Sequence, residues 1–304
     1  MTHFRKSHFF TLFLLLLAAL AIAVWWGQNG SDKPHISEGM SMADSVETAV
    51  DTIDFAEEVV PPEGDTPEEQ IDRRFTYAGK PEPAGYPNPL TVLYNECFVV
   101  GYDEIRGAPA WVAYRVFHTE DYSTAPRRSR FLIDDRTENR ISHNDYTNSG
   151  FDRGHMAPNF AIASRYGADC QRETFLMTNI IPQKSGLNRQ WWQQLERLIA
   201  RDYTEKYDEV WVITGPVYIE KDRWIREKVK IPCHNFKIII AENAEEIMVK
   251  AFLVDQEVTG SDAHSNCLTS VRKIEELTGL NFNPLWQPLL ADSLESAICP
   301  QMWN

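Results

Sequence analysis

From residue 90 to residue 280 the chain alternates between two apolar periods. Residues 90–100 (LTVLYNECFVV) and 110–117 (AWVAYRVF) read as strands, with a turn around Arg106, Gly107, Ala108 and Pro109 between them. Residues 175–181 (FLMTNII) are strand-like. Residues 210–214, 236–241 and 250–254 read as short buried strands. Between these groups, residues 188–203 place Trp191, Trp192, Leu195, Leu198, Ile199 and Tyr203 at the spacing of an amphipathic helix. Both tryptophans belong to its apolar stripe and are expected in the core rather than as stacking platforms. A second, short helix spans 271–277 and stops near Gly279. Residues 119–150 form a polar, basic loop, and 165–173 are polar. Strands come in clusters with helices inserted, without regular alternation, which predicts an α+β domain with a largely antiparallel central sheet flanked by helices.

Ahead of this lie two segments of different character. Residues 9–26 are apolar except for Thr11, and they follow Arg5 and Lys6. That pattern predicts a signal anchor or a signal peptide over 1–27, and hence a domain exported from the cytoplasm, tethered or secreted. Residues 32–72 carry thirteen acids and one base, with few aromatics, so 28–72 is expected to be a disordered acidic linker. Most of the net charge of −14 resides there. The remaining domain, 73–304, is only mildly acidic, and a local basic groove is compatible with that balance. Five cysteines leave at least one unpaired within the chain, and spacing does not fix their connectivity. Cys233-His234 with His264-x-x-Cys267 is a weak zinc pattern, set against a disulfide or a buried thiol.

The stretch 152–159, DRGHMAPN, sets an acid, a base, a glycine and a histidine side by side, which suits a solvated turn or a chemical site better than a packed strand. His155 can act as a general base near neutral pH. Hydrolysis of a stable ester also needs a group that stabilises developing negative charge. Asn188 begins the amphipathic helix, where it also suits an N-cap, and Glu196 lies about 80° further round. One neutral asparagine oxygen plus waters suits Mg²⁺, and a site poor in carboxylates leaves the ion's charge available to an anionic substrate such as a phosphodiester.

The blocks 150–159 (GFDRGHMAPN) and 179–196 (NIIPQKSGLNRQWWQQLE) resemble the two signature blocks of the DNA/RNA non-specific endonucleases. Weaker likenesses run from residue 73 to about residue 290. The resemblance implies a ββα-metal nuclease fold and hydrolysis of DNA and RNA without sequence preference, leaving 5′-phosphate ends. It implies His155 as the general base, Asn188 as the ligand of a single Mg²⁺ (or Mn²⁺), and catalytic support from Arg153, Asn179 and Glu196. Asp152 would orient the turn. Family members often carry an arginine four residues after the helix glutamate. Here that position is Ala200, which shifts the phosphate-holding role to Arg201, with Arg130 of the Arg127-Arg128-Arg130 cluster as a second substrate contact. The expected partners are DNA and RNA through their phosphates and a membrane through the N-terminal helix, and a homodimer is open to it. Two rival readings are a catalytically inactive nucleic-acid-binding module and a small-molecule phosphodiesterase.

Overall fold

The computed structural model describes residues 66–219, 223–243, 246–299 and 302–303. The chain divides into a unit of residues 1–64 and a unit of residues 65–304. The N-terminal anchor and nearly all of the acidic linker expected from the sequence lie outside the described residues. The expected linker does overlap the folded chain at its end. Helix α1, Pro67–Phe75, begins with a capping box in which Thr66 and Glu69 satisfy each other's backbone N–H, and it seats Phe75 in the core. The acidic composition of 66–72 therefore marks a helix start rather than a linker.

The core of the second unit is a seven-stranded, wholly antiparallel sheet in the order β12-β11-β10-β7-β4-β3-β2. Its strands are β2 (Thr91–Tyr94), β3 (Val99–Asp103), β4 (Ala108–Phe117), β7 (Glu209–Val217), β10 (His234–Glu242), β11 (Ile247–Asp255) and β12 (Leu268–Thr269). A short pair, β1 (Glu82–Pro83) with β13 (Leu280–Asn281), and a second pair, β8 (Trp224–Ile225) with β9 (Val229–Lys230), lie outside it. The single strand expected over 90–100 is two strands. Asn95 donates its N–H to the Phe98 carbonyl at 3.1 Å, and this reverses the chain within the run.

The two faces of the sheet have different neighbours. On one, Tyr114, Lys237 and Phe252 meet the long helix α4, and Thr214 touches Met156. Helix α4 runs through the consecutive segments Leu187–Trp192, Gln193–Leu198, Ile199–Tyr203 and Thr204–Tyr207, the first and third wound as π-helix. On the other face, Trp211 packs edge-on against Tyr77 and Phe236 against Phe282. Near that covering lie α5 (Val271–Thr278) and α6 (Pro288–Ser296). Gly279 ends α5 in a left-handed conformation (φ 75°), and a Cβ there would lie 2.5 Å from the Gly85 backbone. Trp191 and Trp192 are buried in the core, as their helical spacing predicts.

DRGH is a strand. β5 (Asp152–His155) pairs with β6 (Ile180–Gln183), Gly154 opposite Ile181 and His155 opposite Ile180. Beneath them a small apolar cluster of Ile141, Tyr146, Met177, Ile180, Ile225 and Val229 supplies the burial that a run of ionisable residues does not advertise. Glycine is needed at 154 for room, since a Cβ would lie 2.2 Å from the buried Gln183 side chain. Together β5, β6 and α4 form the ββα unit. Residues 159–173, of which 165–173 read as polar in the sequence, are two short helices, α2 (Asn159–Tyr166) and α3 (Ala168–Glu173), joined at Gly167.

A disulfide joins Cys97, between β2 and β3, to Cys170 in α3. The pair is 73 residues apart, a loop whose closure stabilises the fold by about 4 kcal/mol in the chain-entropy account. The zinc expectation fails: among the described residues no group of three or more His, Cys, Asp or Glu is placed to hold a metal.

Candidate active site

A cavity of about 590 Å³ opens between the end of β5, the start of α2 and the first turns of α4. His155 and Arg153 enter it from β5, Phe160 from α2, and Asn188, Glu196 and Arg201 from α4. Arg127, Arg189 and Arg197 complete a wall with five guanidinium groups and one carboxylate. Such a wall favours a polyanion.

His155 sits at the floor, 9% exposed, between the rings of Phe131 and Phe175, each 5.2 Å away between centroids. Its Nε2 is buried and has no hydrogen-bond partner among the protein atoms. Burial, reinforced by the positive charge of Arg127, lowers its pKa to about 3. The imidazole is therefore neutral at physiological pH, the protonation state a general base needs.

Asn188 lies inside the first turn of α4 and makes no cap. Its Nδ2 donates to Asp152 Oδ2 at 3.1 Å, which fixes the amide and leaves Oδ1 as the atom available to a ligand. The same Asp152 carboxylate takes a two-pronged bond from Arg189, at 2.7 and 2.6 Å. The hydrogen bonds from these two groups hold Asp152 ionised against its partial burial. A metal caged by several carboxylates has no home among the described residues, whereas a hydrated hard cation with one neutral oxygen ligand fits Asn188.

Arg153 is half-buried over the rings of Phe131 and Tyr146 and donates to the His143 carbonyl at 2.6 Å and to Thr147 Oγ1 at 3.1 Å. Most of its hydrogen bonding thus serves the loop beside β5, while its guanidinium still lines the cavity. Asn179 does not line it. Its side chain accepts from Ala157 N at 2.8 Å and donates to the carbonyls of Ala157 (3.0 Å) and Thr174 (2.9 Å). The resemblance implies that Asn179 supports the water shell or the base, and the geometry places it as a buried clamp on the backbone just after His155. Arg201 reaches the cavity, but Arg130 is exposed and does not; Arg127 of the same cluster is there instead.

Glu196 has a partner that the sequence reading omits. Lys237, fully buried on β10, places Nζ 3.9 Å from Glu196 Oε1, 3.2 Å from the Tyr114 hydroxyl and 4.5 Å from the centre of the Trp192 ring. Burial pushes the carboxyl up and Lys237 pulls it back; burial pulls the ammonium down and Glu196 raises it. The signal was present in FKIIIA: a lysine in the middle of a buried strand needs a charge partner.

The family model of the DNA/RNA non-specific endonucleases matches residues 82–289. The chain is 29% identical to human mitochondrial nuclease EXOG over 218 residues, 64% of this chain and 58% of that one. It is 29% identical to the mitochondrial nuclease of Saccharomyces cerevisiae, with 72% of each chain covered. It is 28% identical to human mitochondrial endonuclease G, with 66% and 72% covered. It thus spans a little over half the length of the EXOG proteins it matches. One chain of a crystal structure of the EndoG/EndoGI complex superposes with a TM-score of 0.60 at 24% identity, covering 73% of this chain and 94% of that one, which supports the fold. The expectation of an exported or membrane-tethered domain is corrected. These relatives are mitochondrial nucleases, and no helix among the described residues is long and apolar enough to cross a membrane. With the family model covering two thirds of its length and the ββα unit in place, the chain belongs to the DNA/RNA non-specific endonuclease family.

Proposed function

We propose that this protein is a sequence-nonspecific endonuclease that hydrolyses phosphodiester bonds in DNA and RNA. One observation carries the reading: a neutral His155 imidazole lines the same arginine-lined cavity as Asn188. In this mechanism the guanidiniums of Arg127, Arg153 and Arg201 hold the phosphate. Contacts to phosphate carry no sequence information, which is why cleavage is indifferent to base order. The His155 imidazole takes the proton of the attacking water as the oxygen approaches phosphorus. Attack opposite the 3′ oxygen breaks the P–O3′ bond, and the departing oxygen takes a proton from site water, leaving a 5′-phosphate and a 3′-hydroxyl. Asp152 holds the Asn188 amide with Oδ1 outward, and Glu196, kept in place by Lys237, accepts hydrogen bonds from site water. A divalent metal goes with this family; we take it to be Mg²⁺, replaceable by Mn²⁺, held at Asn188 Oδ1, where it would stabilise charge on the phosphoryl and leaving oxygens.

The test uses supercoiled plasmid, a long RNA and a small chromogenic phosphodiester, with Mg²⁺ and with EDTA. Metal-dependent cleavage of both polymers, falling steeply with added salt, is expected. Binding of polymer without cleavage under any divalent metal would establish the inactive binding module. Turnover of the small diester alone would establish the small-molecule phosphodiesterase.

A further inference from the structure

One wall of the cavity is aromatic. Phe160 is in the first turn of α2, directly after DRGHMAPN, and its successors Ala161 and Ile162 are buried. Phe160 itself is 37% exposed and lines the cavity that holds His155. Its ring lies nearly parallel to that of Tyr122, with centroids 6.1 Å apart and planes 9° from each other. Arg201 covers the pair, its guanidinium 4.7 Å from the Tyr122 centroid and 5.8 Å from that of Phe160. Arg165 lies 5.1 Å from the Tyr122 centroid and is itself tied to the carbonyls of Phe117 and Ala200. The shelf is therefore anchored to the fold and bordered by positive charge, and its Phe160 lines the cavity that holds His155.

A partly exposed aromatic ring lining an arginine-rich groove suits one ligand chemistry. Every nucleobase has a π face, and stacking on an aromatic side chain is tolerant of sequence. Bases within a duplex already stack on their neighbours and present only edges to a groove. The shelf can thus engage only a base that is free to leave its stack. We propose that Phe160, backed by Tyr122 and Arg201, is a base-stacking subsite beside the scissile phosphate, and that it gives this nuclease a preference for single-stranded or locally unpaired nucleic acid. This rests on the nuclease reading above and names the substrate form the site favours.

Binding of oligothymidylate, the same oligomer with abasic spacers, and a duplex tests this by fluorescence anisotropy. The full chain carries His155→Ala to prevent turnover, alone and combined with Phe160→Ala or Phe160→Trp. The parent is expected to bind the oligothymidylate more tightly than either control. Phe160→Ala weakens oligothymidylate binding by roughly 5- to 100-fold, leaves the abasic oligomer and the duplex unchanged, and Phe160→Trp restores binding. With His155 intact, the single-strand to duplex ratio of kcat/KM falls by the same factor in Phe160→Ala. Equal affinity of Phe160→Ala and parent for oligothymidylate, or equal weakening on the abasic oligomer, overturns the subsite. If the wild type cleaves both strand forms while Phe160→Ala is indistinguishable from it, the subsite alone falls. If the wild type neither binds nor cleaves any strand, the nuclease reading falls with it.

Discussion

His155 shows how far the surroundings of a residue change its chemistry. Enclosed by Phe131 and Phe175, its pKa drops from 6.5 to about 3. Between those pH values the unfolded chain binds a proton there that the folded chain does not. The stability this histidine contributes is therefore fully present above pH 6.5 and is lost as pH falls toward 3, by an amount on the order of 5 kcal/mol. Thermal melts from pH 7 to pH 4 should show a steeper loss in the wild type than in His155→Asn, and parallel curves would mean the imidazole is hydrated in solution. Lys237 and Glu196 form a second coupled unit. Lys237→Met should cost roughly 3 kcal/mol, because it leaves the partly buried carboxylate without its cation. Adding Glu196→Gln should recover most of that loss in the same denaturant titration; additive losses would show that the two groups do not interact.

At the scale of elements, β5, β6 and the strand–helix junctions around them hold the site together. Asn179 clamps the chain at the exit of β5 with three hydrogen bonds, worth about 1 kcal/mol each. Asn179→Ala is expected to destabilise the protein by about 3 kcal/mol and to lower kcat more than it raises KM, since it loosens His155 rather than removing a substrate contact. A rise in KM alone would place Asn179 at the substrate. Helix α4 was legible because its apolar stripe repeats over several turns, and β4, β7, β10 and β11 because their apolar runs are long. DRGH was legible as chemistry but not as a strand. Its pairing depends on β6, some twenty-five residues on, and on an apolar cluster contributed by distant loops. Helices α2 and α3 are too short to show a period, and α1 was masked by the acids around it. The spacing of His155, Asn188 and Glu196 could be read from the motifs. That Lys237 needs a charge partner was legible in FKIIIA, but that Glu196 is the partner, that Phe160 lines the cavity and that Arg127 rather than Arg130 reaches it were not, because strand register and loop path decide them.

For the whole molecule, net charge is a poor guide to partner. The chain carries −14, yet the cavity that holds His155 gathers five arginines. The choice between Arg127 and Arg130 tests whether local geometry decides. Arg127→Ala should lower kcat/KM roughly tenfold or more and reduce the salt slope by about 1, while Arg130→Ala should change little. Equal effects would mean that the loop acts as a diffuse basic edge.

The central claim is that His155 is the base of a metal-dependent nuclease. The most direct measurement is the cleavage of supercoiled plasmid by the wild type and by His155→Ala, side by side, with Mg²⁺ and with EDTA. Near-UV circular dichroism and plasmid binding would establish that the variant is folded. The account predicts metal-dependent degradation by the wild type and a rate roughly 10²- to 10⁴-fold lower for a folded, DNA-binding variant. Undiminished cleavage by His155→Ala, or none by the folded wild type with any divalent metal, would contradict it.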